Sequence, residues 1–171
     1  MPLRPGRTTR TIERPYTRVS KRTPRKSYVV GVPFPKTHQF EMGTSTGDFN
    51  TRLYLISKNS VQIRDNALEA SRVVGHKFLE SKLGTINYFM KILVFPHHVV
   101  REKPIAQGAG ADRYSQGMRQ SFGKPSTVAV QTKVGQRLVL LKVTKENLDL
   151  GKKALKKIGL KLPTPTRIEI E

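Results

Sequence analysis

Nine Lys and Arg residues stand within the first 26 positions: Arg4, Arg7, Arg10, Arg14, Arg18, Lys21, Arg22, Arg25 and Lys26, against the single carboxylate of Glu13. Their chemistry is polyanion binding. A guanidinium is planar, permanently charged and forked, so it grips phosphate at fixed geometry. Arginine outnumbers lysine here seven to two. Pro2, Pro5, Pro15 and Pro24 interrupt the run, and Tyr16 lies within it. Prolines so placed break any regular helix, and the segment has no apolar face to bury. Nine cations against one acid leave a net +8. Such a stretch repels itself until a polyanion neutralises it, and RNA or DNA is the most abundant candidate. A transit peptide is also rich in arginine and poor in acids, but it works as an amphipathic helix. The prolines argue against that reading.

A second cationic feature is the stretch 103–126. It holds four glycines and two prolines with almost no periodicity, and offers Arg113, Arg119 and Lys124. Loops of this length inside a compact domain are usually functional or disordered. Gly108 and Gly110 begin a dinucleotide fingerprint, but Arg113 stands where its third glycine belongs. Gly123-Lys124 is followed by Pro125, so a phosphate-cradling Walker loop fails as well. The loop reads as a flexible presenter of cations to a phosphate backbone, with Tyr114 and Phe122 able to stack or pack. Asp112 is expected to order it, by accepting backbone N–H groups or pairing with Arg113. His97 and His98 are adjacent, and neighbouring side chains of a strand point to opposite faces. They are therefore not expected to share a metal; one partly buried and one phosphate-facing histidine is the ordinary arrangement. The twelve acids are scattered, and no catalytic set, metal site or cofactor site emerges. Lys152, Lys153, Lys156, Lys157 and Lys161 form a basic helix face, for which solvation and phosphate contact both stay open.

Elements must position these groups. The chain has 171 residues, a formal charge of +20 and 36 % apolar residues, which allows one modest core plus a tail. Cysteine is absent, which excludes disulfides and thiolate chemistry and is compatible with a reducing compartment. No apolar run is long enough to span a membrane as a helix. Residues 1–35 read as an irregular extended basic arm, and 36–171 as a single domain. Short strands are expected at His38–Met42, Arg52–Ser57 and from Val61 through Ile63. A helix follows, capped by Asn66 with Glu69, with Ala67, Ala70, Val74 and Phe78 as its apolar face, and Leu83-Gly84 ends it. Tyr88–Phe95 reads as a central strand. Thr127–Thr132 and Gln136–Val143 read as a pair joined at Gly135. Thr144 is expected to cap a second helix that buries Leu148, Leu155 and Ile158, before a last strand at Thr166–Ile170. The fold class is α+β: two helices packed on a mixed or antiparallel sheet, with the arm and the long flexible loop attached.

Within 107–125, the run from Gly108 to Arg113, then Gly117, Met118, Arg119 and Phe122 to Pro125, resembles the signature of a universal large-ribosomal-subunit protein family. The family is called L-ten-e in archaea and eukaryotes and L-sixteen in bacteria. Arg4-Pro5 and Pro15-Tyr16 resemble its basic arm, Gly31 to Pro33 its entry to the domain, Ala67 to Ala70 its first helix, and Phe95 to Val99 the strand end before the loop. The eukaryotic pattern carries cysteines that this chain lacks, and Tyr114, Ser115, Gln120 and Ser121 depart from it. The eukaryotic C-terminal extension is missing after Glu171. These departures imply an archaeal member.

The resemblance implies a structural, non-enzymatic constituent of the cytoplasmic ribosome, without cofactor, that binds large-subunit rRNA near the peptidyl-transferase centre and helps to position A-site and P-site tRNA. The expected rRNA contacts are the nine cations of the arm with Tyr16, and His97, His98, Arg101, Arg119 and Lys124. The expected tRNA-proximal loop is Gly108, Ala109, Gly110, Ala111, Asp112, Arg113, Tyr114, Ser115, Gln116 and Gly117. Its partners are rRNA, with 5S rRNA nearby, tRNA and neighbouring ribosomal proteins, without membrane contact or homo-oligomerisation. The residues themselves also admit a non-ribosomal basic nucleic-acid binder of RNA-chaperone or chromatin type.

Overall fold

The computed structural model describes residues 4–13, 22, 29 and 31–171. Among these residues, eight strands form two antiparallel sheets. These strands are β1 (Glu41–Gly43), β2 (Thr51–Ser57), β3 (Val61–Arg64), β4 (Tyr88–Ile92), β5 (His98–Glu102), β6 (Lys124–Thr132), β7 (Arg137–Val143) and β8 (Thr166–Ile170). One sheet runs β1-β4-β7-β2-β8 and the other β3-β6-β5. Two long helices, α1 (Asp65–Leu83) and α3 (Leu148–Gly159), join them, with a single turn, α2 (Ala111–Tyr114), inside the long loop. The α+β class, with two helices on antiparallel sheets, is as expected.

The two sheets are linked by bent strands. Thr51 to Ile56 in β2 pair with Val143 to Arg137 in β7, and Val61 to Arg64 in β3 continue against Thr132 to Ala129 in β6. β4 and β5 follow the same course along β7 and β6. Residues 127–132 and 136–143 are therefore successive parts of one course, and do not form the hairpin expected at Gly135. Ser57 donates to the Gln136 carbonyl (3.0 Å) and Gly135 to the Ser57 carbonyl (2.9 Å), so both strands turn the corner together. The strand expected over Tyr88–Phe95 ends at Ile92 for the same reason. It bends between Leu93 and His97, where Pro96 has no N–H for a ladder. Its first part, β4, is an interior strand as expected, flanked by β1 and β7.

One core fills the space between helices and sheets. Leu53, Leu55, Tyr88, Met90, Leu141 and Val143 supply the sheet side, and Leu68, Leu79, Leu155 and Ile158 the helix side. The stripe of α1 is Leu68, Ser71, Gly75 and Leu79, one residue on from the expected Ala67, Ala70, Val74 and Phe78. Ser71 and Gly75 hide it from a hydrophobicity pattern. Ser71 satisfies its hydroxyl on the Leu68 carbonyl (2.7 Å). Gly75 is required by closeness, because a Cβ there would lie 2.6 Å from Ile158 Cδ1 of α3. The expected Asn66–Glu69 box is absent. Buried Asp65 accepts the N–H groups of Asn66 (2.7 Å) and Lys36 (3.0 Å), while Glu69 is held by the Arg72 fork. Thr144 likewise makes no backbone cap; its hydroxyl accepts from the Asn147 side chain (3.0 Å). α3 buries Leu155 and Ile158 as expected, with Gly151 and Ala154 beside them and Leu148 half-buried.

Candidate nucleic-acid interface

The three-stranded sheet carries the start of the arm. Gln62 in β3 donates its backbone N–H to the Arg10 carbonyl (2.8 Å) and its amide to the Thr9 carbonyl (3.0 Å). Arg64 Nη1 donates to the Arg4 carbonyl (2.9 Å), and Gln131 in β6 to the Glu13 carbonyl (2.7 Å). Residues Gly6–Thr9 form a single 3-10 turn along this edge. The arm's carbonyls face the sheet, while Arg7 and Arg10 keep exposed side chains. Sequence reasoning missed Gln62, Arg64 and Gln131. The available signal was two long polar side chains, Gln62 and Arg64, alternating on an otherwise apolar strand.

Arg4 has a different task. Its Nη2 donates to the Lys103 carbonyl (3.2 Å) and its Nε lies 4.0 Å from Glu102 Oε2. So loose and exposed an ion pair adds little energy. Its consequence is positional: it ties the arm to the root of the loop. Arg22 is exposed. Arg14, Tyr16, Arg18, Lys21, Arg25 and Lys26 lie outside the described residues.

The loop leaves the sheet between β5 and β6, where Glu102 stands opposite Lys124. Gly123 closes this stem at φ +74°, and a Cβ there would lie 2.8 Å from the Glu102 carbonyl carbon and 2.9 Å from its oxygen. Behind it the Arg101 guanidinium stacks over the Phe122 ring at 4.1 Å, so Arg101 packs on the stem. At the tip Gly110 enters α2 at φ +79°. Ser115 Oγ accepts the Ala106 N–H (3.0 Å), joining the two limbs. No residue from 103 to 126 is buried, and Tyr114 is 88 % exposed. Between the limbs lies an open cavity of about 550 Å³, bounded by Lys103, Arg113, Arg119 and Lys124, with Asp112 as its one carboxylate. Asp112 makes no hydrogen bond or ion pair with a described residue, so the ordering role expected for it is not what holds the loop; Ser115 does that work. Arg119 Nη1 is held by Gln116 Oε1 (3.1 Å).

His97 and His98 are not on opposite faces. Their rings lie 4.2 Å apart, because β5 begins only at His98 and His97 belongs to the bend before it. His97 is exposed and His98 half-buried. Burial lowers the His98 pKa below the ordinary histidine value, and His97 lowers it further. Its Nδ1 and the Thr127 hydroxyl are buried without a hydrogen-bond partner among the described residues. His98 borders a polar cleft of about 240 Å³ roofed by Thr8, Thr9 and Glu13 of the arm. No cluster of metal-ligating side chains exists among the described residues, and no helix among them is long and apolar enough to cross a membrane.

The five-stranded sheet turns a different face outward. Leu53, Leu141 and Val143 meet Gly151 of α3, so the alternate residues point away from it. There Lys91 pairs with Glu41 (2.5 Å), Arg137 with Glu171, and Arg167 with Glu169 (2.5 Å). Arg137 also lies 3.8 Å over the Tyr54 ring. Three cations of this face are thus paired with carboxylates, while Lys142 lies over the Phe89 ring. The arm, the loop and the end of α3 carry exposed cations as well, among them Arg7, Arg10, Arg113, Arg119, Lys156 and Lys161.

This distribution agrees with the comparisons with known proteins. A sequence model of the family described as ribosomal protein L16p/L10e matches residues 14–169. The protein called large ribosomal subunit protein uL16 from Archaeoglobus fulgidus is 44 % identical over 171 residues, covering 100 % of this chain and 94 % of its own. The uL16 of Staphylothermus marinus is 46 % identical over 169 residues, covering 98 % and 93 %. That of Sulfolobus acidocaldarius is 45 % identical over 173 residues, covering 99 % and 94 %. With identity of this level along nearly its whole length to archaeal proteins, the chain belongs to the ribosomal protein L16p/L10e family.

Proposed function

We propose that this chain is a structural constituent of an archaeal large ribosomal subunit that binds large-subunit rRNA through its arm and loop stem, and extends the loop towards tRNA near the peptidyl-transferase centre. The role is structural and not enzymatic, as befits the family. Residues 1–35 act as the rRNA-binding arm of a domain formed by 36–171. One observation carries the reading: the arm's carbonyls dock on β3 and β6 while Arg4 reaches the loop root, so two cationic segments far apart in sequence form one surface. That surface meets RNA mainly through phosphates and shape. Arg7 and Arg10 act by phosphate contact rather than base reading, because guanidinium forks match phosphate. The tip, with exposed Tyr114 beside Arg113, is the part that faces tRNA; 5S rRNA and neighbouring ribosomal proteins border the rest.

Two measurements test this. In a sucrose gradient at high salt, the native protein should travel with the large subunit in constant ratio; its loss to the top fractions would overturn the assignment. A chain lacking 108–117 should still join the subunit but impair tRNA accommodation. Unchanged translation by such particles would remove the loop's role.

A further inference from the structure

We propose that the crossing of the arm over the end of α3 is a distinct binding site for an RNA sugar–phosphate backbone. The site rests on the rRNA-binding reading above and adds the basic helix to it. Two clefts flank residues 6–10 of the arm. The larger, about 780 Å³, lies between Arg10 and the end of α3, and includes Lys156, Leu160 and Pro163. The smaller, about 310 Å³, lies beneath the 3-10 turn; Arg64 and Lys161 border it, and it shares Pro163 with the first. Four cations, at positions 10, 64, 156 and 161, thus bracket a single crossing. No residue lining either cleft is acidic. On the outer sheet face, by comparison, Lys91, Arg137 and Arg167 are each paired with a carboxylate, Glu41, Glu171 and Glu169.

Charge complementarity therefore points to a polyanion, and the apolar floor narrows its class. Leu160 is 83 % exposed in the larger cleft. An exposed leucine beside cations suits a ligand that alternates charged phosphates with ribose and base faces. The groove also continues into the arm, where Arg7 is exposed. Neither segment makes the site alone; the Gln62 and Arg64 hydrogen bonds to the arm assemble it.

The test uses the full chain and deproteinised large-subunit rRNA, with affinity followed against salt. Each neutralised phosphate contributes roughly 0.7–0.9 to the slope of log affinity on log salt. Replacing both Lys156→Gln and Lys161→Gln should lower the slope by about 1.4–1.8, two phosphates' worth. Lys156→Arg with Lys161→Arg should keep the slope, and Lys91→Gln with Lys142→Gln on the outer sheet face should leave it unchanged. All these positions are on the surface, so far-UV circular dichroism should be unaltered. An undiminished slope in the Lys156→Gln, Lys161→Gln chain overturns the site while leaving the rRNA-binding reading intact. Loss of an acidic ribosomal protein from particles carrying that chain, with rRNA binding undiminished, assigns the groove to protein and also overturns it. A slope near zero in the unaltered chain would instead remove the rRNA-binding reading itself.

Discussion

Replacing Gly123 by alanine should break the loop stem. Two costs add. The residue holds φ +74°, where a side chain costs about 1–2 kcal/mol. The new Cβ would also stand 2.8 Å from the Glu102 carbonyl carbon and 3.0 Å from the Lys103 nitrogen. Those are backbone atoms, already held by the β5–β6 register, and cannot rotate away as a side-chain tip would. Crowding of this kind costs about 1–3 kcal/mol. The total is roughly 2–5 kcal/mol, unless the stem opens first and caps the loss. Gly110→Ala separates the two terms. Its φ, +79°, is nearly the same, but a Cβ there meets nothing within 4 Å. It should cost at most about 1–2 kcal/mol. Urea unfolding of both variants measures the difference, since midpoint shifts at constant slope report stability. Amide exchange at Glu102 and Lys124 should rise in Gly123→Ala alone. Equal destabilisation in the two variants, or exchange at the stem that stays slow in Gly123→Ala, would refute the clash.

Gly75→Val should destabilise the α1–α3 contact by about 1–3 kcal/mol, because its Cβ falls 2.6 Å from Ile158 Cδ1 in a filled core; Ile158→Val in the same chain should recover part of the loss in thermal denaturation. For His98 the folded pKa is lowered, so the unfolded chain binds more protons below the ordinary histidine value of about 6.5, and stability should fall on acidification below that pH and level off above it. His98→Leu should flatten the corresponding part of the stability–pH curve; an identical curve would show that this imidazole does not contribute.

Much of the fold was legible because its signals are local. Thr166–Ile170 was read at its observed bounds, and Leu155 and Ile158 were placed correctly in the core, since α3 has a stripe of ordinary hydrophobic residues. The stripe of α1 lies one residue from where its hydrophobic periodicity predicts it, because its contact positions include Ser71 and Gly75, which serve closeness and not hydrophobicity. Residues 127–132 and 136–143 do not pair with each other as their sequence suggests, because a glycine turn between two apolar runs looks the same whether the chain folds back or turns a corner. Only the paired bend distinguishes them, and it joins Gly135 and Gln136 to Ser57, far away in sequence. At the interface, Arg4, Arg7 and Arg10 are exposed, and their charge is visible in the sequence, whereas Gln62, Arg64 and Gln131, which hold the arm, carry no motif.

By itself the sequence determined that the protein is a cationic, cysteine-free α+β chain with a proline-rich arm and a glycine-punctuated loop, and the residues of that loop carry the resemblance to its family. Charge, proline placement and glycine spacing are properties of neighbouring residues, so they survive without a fold. Only the tertiary structure decided that the strands bend through two sheets, that Arg4 meets the loop root, and that Arg10 and Lys156 border one groove. Those pairings join residues separated by up to most of the chain, and they exist only once a common core sets the distance between the elements that bear them.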